Sequence, residues 1–285
     1  MQERRVSVGT HSLNVAVGPE NGPPLVLLHG VTRCWRDWFP VLAPLQAAFH
    51  VWAMDHRGHG KSDRANGYRV EDYVSDAVRL IEEQFPNGCF VIGHSLGAMV
   101  AAAVAALRPG LVRGVVLEDP PYETMGTRID LTPYADFFLQ MQSLAENYTE
   151  ESVPQLSERI GAIRIGAPSQ PKTALKEIRD AASIRFSAAC LKSLDAAVLE
   201  GITDRRWIEG HDYRSLFPRI QCPTLVLQGD DAAGGTLTKD DVEAMKVAIV
   251  DLCIHTFAGC GHQLHGAHTA AFLSVVLPFL AGQHA

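Results

Sequence analysis

Several segments that define large classes of proteins are missing from this sequence. No apolar run approaches the roughly 18 residues that a membrane-spanning helix requires, and residues 1–6 carry charge without the apolar segment of a secretory signal behind them. The chain has no cluster of lysine or arginine, and its net charge is −7. This charge disfavours nucleic acid and anionic membranes as partners. We therefore expect a cytoplasmic protein.

Metal-binding and redox motifs are missing as well. The six cysteines form no Cys-x-x-Cys pair, which argues against a zinc ribbon or a redox motif, and we expect them to be reduced. Near the C-terminus, His262, His265 and His268 lie close together, but carboxylates or cysteines at ligand spacing do not accompany them. We expect no metal and no organic cofactor.

What the sequence does contain is the patterning of an α/β domain. Its 285 residues are 47% hydrophobic and 20% charged, as is typical of a globular protein. Up to Pro120, short apolar runs alternate with segments of helical spacing, which indicates parallel βαβ units in a doubly wound sheet. Strands are predicted at 6–8, 13–17, 25–28, 51–54, 89–92 and 112–117, and helices at 73–85 and 96–107.

The alternation breaks after Pro120-Pro121. The next ninety or so residues have helical spacing and no good strand run, and strand character returns at 224–227. Residues 122–212 are therefore predicted to form a helical cap. This cap is inserted between strands of a core made of residues 1–121 and 213–285.

A candidate nucleophile lies between a predicted strand and a predicted helix. Gly93-His94-Ser95-Leu96-Gly97 matches Gly-x-Ser-x-Gly, in which a sharp turn holds the serine at a helix N-terminus and only small neighbours fit. Acyl transfer also needs N–H donors for the developing oxyanion. The N–H of Leu96 is one candidate, and that of Val31, which follows a buried strand, is the second.

The candidate general base is His262, in Gly259-Cys260-Gly261-His262, where flanking glycines allow a tight loop after a late strand. His265 is the alternative base. In chain order, residues 25–31, 55–62, 93–97 and 259–262 resemble motifs of the α/β-hydrolase superfamily, particularly its esterase and lactonase-like members. The resemblance covers about residues 5–121 and 215–282.

This resemblance implies an eight-stranded, mostly parallel sheet with a cap over the site. It also implies Ser95 as nucleophile, His262 as base, and the N–H groups of Val31 and Leu96 as oxyanion donors. A serine at position 95 disfavours epoxide hydrolase and haloalkane dehalogenase chemistry, in which a carboxylate attacks.

The acid of the triad is where the sequence departs from its relatives. Many of them carry an aspartate three residues after the glycine that ends a late core strand, but this position is Ala232. In other members, including zearalenone-lactonase-like enzymes, the acid follows an earlier strand, and there this chain has Asp119. We favour Asp119. Asp231 is the alternative acid, followed by Asp230 and Glu118.

Together these residues predict a hydrolase that cleaves a carboxylic ester or lactone through an acyl-enzyme. Amide or carbamate hydrolysis, C–C bond hydrolysis and cofactor-free perhydrolysis are alternatives on the same triad, and a ligand receptor with vestigial hydrolase activity is an alternative outside enzymes. Arg33, Trp35 and His94 are predicted to contact the substrate, although packing of the 33–38 loop onto the core explains its aromatics equally well. We expect a small acyl compound as substrate, neither nucleic acid nor membrane as partner, and a monomer or a homodimer.

Overall fold

An eight-stranded sheet forms the centre of the protein. The computed structural model describes residues 1–282. The strands of the sheet are β1 (Gln2–Ser7), β2 (Ser12–Val17), β3 (Pro24–Leu28), β4 (His50–Met54), β5 (Cys89–His94), β6 (Val112–Glu118), β7 (Thr224–Gly229) and β8 (Leu252–Phe257). They lie in the order β1-β2-β4-β3-β5-β6-β7-β8. β2 is antiparallel to both of its neighbours, and all other pairs are parallel. The predicted eight-stranded, mostly parallel sheet is confirmed.

Helices pack on the sheet and also fill the long connection between β6 and β7. The core helices before this connection are α1 (Phe39–Gln46), α2 (Val70–Gln84) and α3 (Leu96–Leu107). The connection contains α4 (Tyr122–Met125), α5 (Pro133–Asn147), α6 (Val153–Ala162), α7 (Leu175–Ile178), α8 (Ala181–Leu191), α9 (Ala197–Thr203) and α10 (Tyr213–Leu216). The last helices are α11 (Lys239–Ala248), α12 (Leu264–Ala267) and α13 (Thr269–Ala281). Among residues 1–282, no helix combines the length and the apolarity that crossing a membrane would take.

The central strands and α3 form the most deeply buried part of the core. β5 is buried along its whole length, as expected for a strand covered on both faces. α3 consists mainly of alanine and valine, and every residue of it except the last is buried. Such small side chains let this helix lie close to the sheet. The serine that precedes α3 is therefore attached to a rigid part of the protein.

The connection between β6 and β7 is mostly helical, as the sequence predicts, but it also contains a short hairpin. Residues Arg164–Ile165 pair in antiparallel fashion with Thr173–Ala174. The sequence shows no good strand run in this segment, and each strand of the hairpin has only two residues. Strands of two residues are too short for alternation of polar and apolar residues to show in a sequence.

Candidate active site

Ser95 lies in a strained turn between β5 and α3. Its backbone has φ 56° and ψ −118°, a conformation that costs energy for a residue with a side chain and is concentrated at functional sites. The turn leaves no room beside it: a Cβ at Gly97 would lie 2.0 Å from the carbonyl oxygen of Leu28, and one at Gly93 would lie 2.1 Å from that of Gly97. Both glycines are therefore required by packing. The Ser95 N–H donates to the carbonyl oxygen of Glu118 (2.9 Å), which fixes the turn to the end of β6.

The loop after β3 faces this turn. Thr32 has φ 66°, and its N–H donates to Nε2 of His59 (3.2 Å). Val31 lines the same pocket as Ser95. Within residues 1–282, neither the Val31 N–H nor the Leu96 N–H donates a hydrogen bond to another residue. Both N–H groups are thus available to an acceptor in the pocket.

His262 lies in the loop after β8 and contacts Asp119, which directly follows β6. Its Nδ1 is 2.7 Å from Oδ2 of Asp119. A carboxylate at this nitrogen leaves Nε2 as the proton-accepting atom of a neutral imidazole. His262 and Ser95 line one pocket, although their side chains form no hydrogen bond with each other in this structure. Bonds of this kind often tighten only when a substrate is bound.

Asp119 is fully buried and is held as a carboxylate by the groups around it. Its Oδ1 accepts from the N–H groups of Gly229 (3.0 Å) and Leu237 (3.2 Å). Its Oδ2 accepts from the N–H (2.7 Å) and the hydroxyl (2.9 Å) of Thr236. Burial alone would raise the pKa of Asp119, but the hydrogen bonds from His262, Thr236 and Gly229 hold it below its usual value. Its φ of 46° is a second strained backbone angle at the site.

The structure brings none of the other candidate acids to His262 Nδ1. Asp231 is exposed on a short 3₁₀ helix, Asp231–Ala233. Asp230 accepts from the N–H groups of Ala232 (3.0 Å) and Gly259 (2.8 Å), so it braces the loop that leads to His262. Glu118 points to a different histidine, His265. Of the four candidates, only Asp119 contacts the imidazole.

Glu118 and His265 form a buried ion pair next to the candidate triad. Nδ1 of His265 is 2.7 Å from Oε2 of Glu118, and the other carboxylate oxygen accepts from the N–H groups of Leu264 and His265. Burial alone would lower the pKa of His265, but Glu118 and Asp37 raise it to about 10. This imidazole is fully buried, so it does not fit the role of alternative base. The pair instead fixes the chain just after His262.

Thr236 is a site residue that sequence reasoning missed. Its hydroxyl contacts His262 Nδ1 (3.0 Å) as well as Asp119. It comes from the loop after β7, where many relatives carry the acid. Here the loop provides hydrogen-bond donors to an acid located on the neighbouring strand end. No sequence signal distinguishes this threonine, because its role depends on how the loop folds back.

The pocket at Ser95 has an empty volume of about 230 Å³, which includes open solvent. The core supplies Val31, Ser95, Thr236 and His262. The connection between β6 and β7 supplies Met125, Tyr134, Phe138 and Trp207. An apolar pocket with a few polar groups at one end is typical of a small-molecule site.

Of the three residues predicted to contact substrate, Trp35 and His94 are not among the residues that line the pocket. Trp35 is buried, its indole N–H donates to Glu3 (2.8 Å) and its ring packs on Phe39, away from the pocket. His94 is also buried, and its Nε2 hydrogen-bonds the carbonyl oxygen of His262 (3.1 Å). Both side chains brace loops that carry the site, and a contact of either one with a substrate stays a prediction.

Arg33, in the loop after β3, connects this loop to α8 and to the loop after β8. Its guanidinium donates to the hydroxyl of Ser187 on α8 (3.1 Å) and to Oε1 of Gln263 (3.1 Å), the residue after His262. Its nearest carboxylate is Asp37, at 3.9 Å. A contact between Arg33 and a bound molecule stays a prediction.

The relatives of this chain are hydrolases. A 2-(acetamidomethylene)succinate hydrolase from Mesorhizobium japonicum is 37% identical over 134 residues, which is 47% of this chain and 44% of that protein. Epoxide hydrolase B from Mycobacterium tuberculosis is 36% identical over 126 residues, or 41% of this chain and 35% of that protein. The chain thus matches less than half the length of each of these two curated relatives.

The fold is similar to that of solved hydrolases along its whole length. The enol-lactonase from Burkholderia xenovorans LB400 superposes with a TM-score of 0.74 at 20% identity, covering 98% of this chain and 100% of that one. A sequence model of the alpha/beta hydrolase family matches residues 25–275. This chain belongs to the alpha/beta hydrolase family.

Proposed function

We propose that this protein is a serine hydrolase that cleaves a carboxylic ester or lactone through an acyl-enzyme. The observation that carries the proposal is the 2.7 Å contact between His262 Nδ1 and Asp119 Oδ2, made in the pocket that also holds the strained Ser95. A nucleophile, a base and an acid that orients the base are the parts required for acyl transfer.

In the proposed mechanism, Ser95 Oγ attacks the acyl carbon and His262 Nε2 takes its proton. The negative charge on the carbonyl oxygen is stabilised by the N–H groups of Val31 and Leu96. His262 then gives the proton to the leaving oxygen, and the C–O bond breaks to leave the acyl group on Ser95. Water, deprotonated by His262, then attacks the acyl carbon; the bond from this carbon to Ser95 Oγ breaks, His262 returns the proton to Oγ, and the acid is released. Asp119 stabilises the imidazolium formed in each half-reaction.

The similarity to an epoxide hydrolase supports the assignment of the fold, but it does not support epoxide opening as the reaction. Epoxide opening in this family uses a carboxylate nucleophile, and this chain has Ser95 at that place. A serine suits a carbonyl carbon, where its attack yields an oxyanion that N–H donors can stabilise.

Amide cleavage is the second candidate, and one comparison favours it. The relative that is 37% identical over 134 residues is named for a substrate with an acetamido group. The same triad would serve, with His262 protonating the leaving nitrogen instead of an oxygen.

Turnover of 4-nitrophenyl acetate, together with labelling by a fluorophosphonate and intact-mass measurement, tests the proposal. Wild-type protein is expected to turn over the ester and to gain one label, and Ser95→Ala is expected to do neither. Ser274→Ala, at an exposed serine of α13, is the matched control and should behave as wild type. Absence of both turnover and labelling in the wild type would refute the serine hydrolase assignment.

A further inference from the structure

Arg179 is an arginine of the cap without an anionic partner. It follows α7, is only partly exposed, and its guanidinium carbon lies 5.3 Å from the centre of the Phe137 ring. Within residues 1–282, its side chain forms no ion pair and no hydrogen bond. By contrast, Arg57 is paired with the carboxylate of Asp76 (2.6 Å). A partly buried cation without a counter-charge is costly.

Arg179 is connected to the pocket through Phe137, whose ring packs against that of Phe138 (centres 5.1 Å apart), a residue of the pocket lining. Burial and the charge of Arg33 lower the pKa of Arg179 to about 10, with a smaller opposing effect from Tyr134. Tyr134 lines the pocket with Ser95 and His262, and its ring centre is 6.3 Å from that of His262. Arg33 contacts Gln263, the neighbour of His262. Arg179 therefore lies one aromatic ring beyond the pocket lining, and Arg33 contacts the residue next to the candidate base.

The carboxylates next to the two arginines, Asp37 and Asp180, already accept hydrogen bonds from other groups. Asp37, the nearest carboxylate to Arg33, already accepts from Gln263 Nε2 (2.8 Å) and faces His265. Asp180, next to Arg179, accepts from the N–H of Ser183 as the N-cap of α8 (2.8 Å). A planar guanidinium pairs with a carboxylate through two parallel hydrogen bonds. A carboxylate brought in by a ligand would supply the missing counter-charge.

We propose that the substrate carries a carboxylate group besides its scissile acyl group, and that Arg179 binds this carboxylate next to Arg33. The inference rests on the proposed function, since it names the substrate class of the same pocket. Arg179 is assigned to binding and not to the chemical steps.

Matched ester pairs test this inference. In each pair the acyl chains have the same number of carbons and differ in ending with a methyl group or a carboxylate: 4-nitrophenyl hexanoate with mono-4-nitrophenyl adipate, and 4-nitrophenyl pentanoate with mono-4-nitrophenyl glutarate. The wild type is expected to have a higher kcat/KM for the anionic member of at least one pair. In Arg179→Gln, the ratio of anionic to neutral kcat/KM should fall about 10- to 100-fold, the usual effect of losing hydrogen bonds to a charged group, mainly through KM.

Two further variants separate a charge effect from a packing effect. Arg179→Lys keeps the cation and should retain part of the preference. Arg185→Gln removes an exposed arginine of α8 and should leave the ratio unchanged. A wild type without preference for the anionic esters, or an Arg179→Gln variant with an unchanged ratio, would overturn the inference.

A binding measurement distinguishes failure of this inference from failure of the proposed function. Calorimetric titration of Ser95→Ala with mono-4-nitrophenyl adipate and mono-4-nitrophenyl glutarate should give heat of binding with at least one of them, and this heat should be lost in Ser95→Ala/Arg179→Gln. That result upholds the carboxylate site even if the wild type has no turnover. No binding of either ester by Ser95→Ala, with turnover of 4-nitrophenyl acetate by the wild type, would overturn the site and leave the hydrolase intact.

Discussion

Replacement of Asp119 by asparagine changes one atom at the centre of the proposed triad. The new amide must place its NH₂ group at one of the two oxygen positions. At the Oδ1 position the NH₂ would face two N–H groups, those of Gly229 and Leu237. At the Oδ2 position it would face only one, that of Thr236, whose hydroxyl has a second acceptor in the carbonyl oxygen of residue 119 (2.8 Å).

The second orientation is therefore favoured, and it reverses the hydrogen bond to His262. The NH₂ group would donate to Nδ1, which moves the imidazole proton to Nε2, so that Nε2 no longer accepts a proton from Ser95. We expect kcat to fall about 10⁴-fold, the size of effect known for a triad held in the wrong tautomer. In this orientation the buried N–H of Thr236 faces the NH₂ group and has no acceptor, which should also lower the free energy of unfolding by about 1–3 kcal/mol.

Hydrolysis of 4-nitrophenyl acetate and thermal unfolding measure the two effects. Asp231→Asn makes the same chemical change at an exposed carboxylate and should leave both the rate and the melting temperature close to wild type. A folded Asp119→Asn variant within tenfold of the wild-type kcat, or an equal loss in Asp231→Asn, would refute the reasoning.

Three further predictions concern the ion pair, the turn and the pocket. Glu118 and Asp37 raise the pKa of His265 from 6.5 to about 10 in the folded protein, so the pair stabilises the fold while His265 is protonated. This stabilisation is complete below pH 6.5 and is lost as the pH rises towards 10. In urea denaturation, the difference in free energy of unfolding between wild type and His265→Gln should therefore shrink over this pH range. A constant difference would contradict the ion pair between His265 and Glu118. Gly97→Ala places a Cβ 2.0 Å from a backbone oxygen and should lower the free energy of unfolding by about 3 kcal/mol or more, whereas Gly110→Ala, with no atom within 4 Å of the added carbon, is the mild control. Because the empty space of about 230 Å³ at Ser95 already includes open solvent, a long acyl chain is expected to extend beyond the pocket. The kcat/KM for neutral 4-nitrophenyl esters should therefore fall from butanoate to decanoate, and a steady rise with chain length would contradict a small pocket.

The sheet and the turn at Ser95 were predictable because they depend on local patterns. Continuous apolar runs identify strands that are buried on both faces, and a serine between glycines at a strand end identifies the turn. The carboxyl ends of parallel strands converge at one edge of a sheet. That rule is enough to bring the residues after β5, β6 and β8 together, including Asp119 and His262.

The remaining parts of the site depend on tertiary contacts that no local pattern encodes. Thr236 acts through a loop that folds back onto Asp119, and Trp207 reaches the pocket from an irregular segment. Trp35 and His94 show the opposite case. Their positions next to site motifs suggested substrate contact, but burial and a hydrogen-bond partner made them braces of the surrounding loops. Sequence adjacency alone does not tell these two outcomes apart.

The hydrogen bonds between Asp119 and Thr236 join two residues that are 117 positions apart. Almost all of the chain between them is the connection between β6 and β7. The parallel pairing of β6 with β7 joins the same two chain ends. The base of the connection is thus closed by contacts near the ends of β6 and β7, and the hydroxyl of Thr124 in α4 adds one more by donating to the carbonyl oxygen of Thr236 (2.6 Å). We expect that a segment grafted in place of α5–α9 leaves the contact between Asp119 and Thr236 intact if Thr124 is kept. Such a graft would change the residues that the connection contributes to the pocket while keeping the strand ends that hold Asp119.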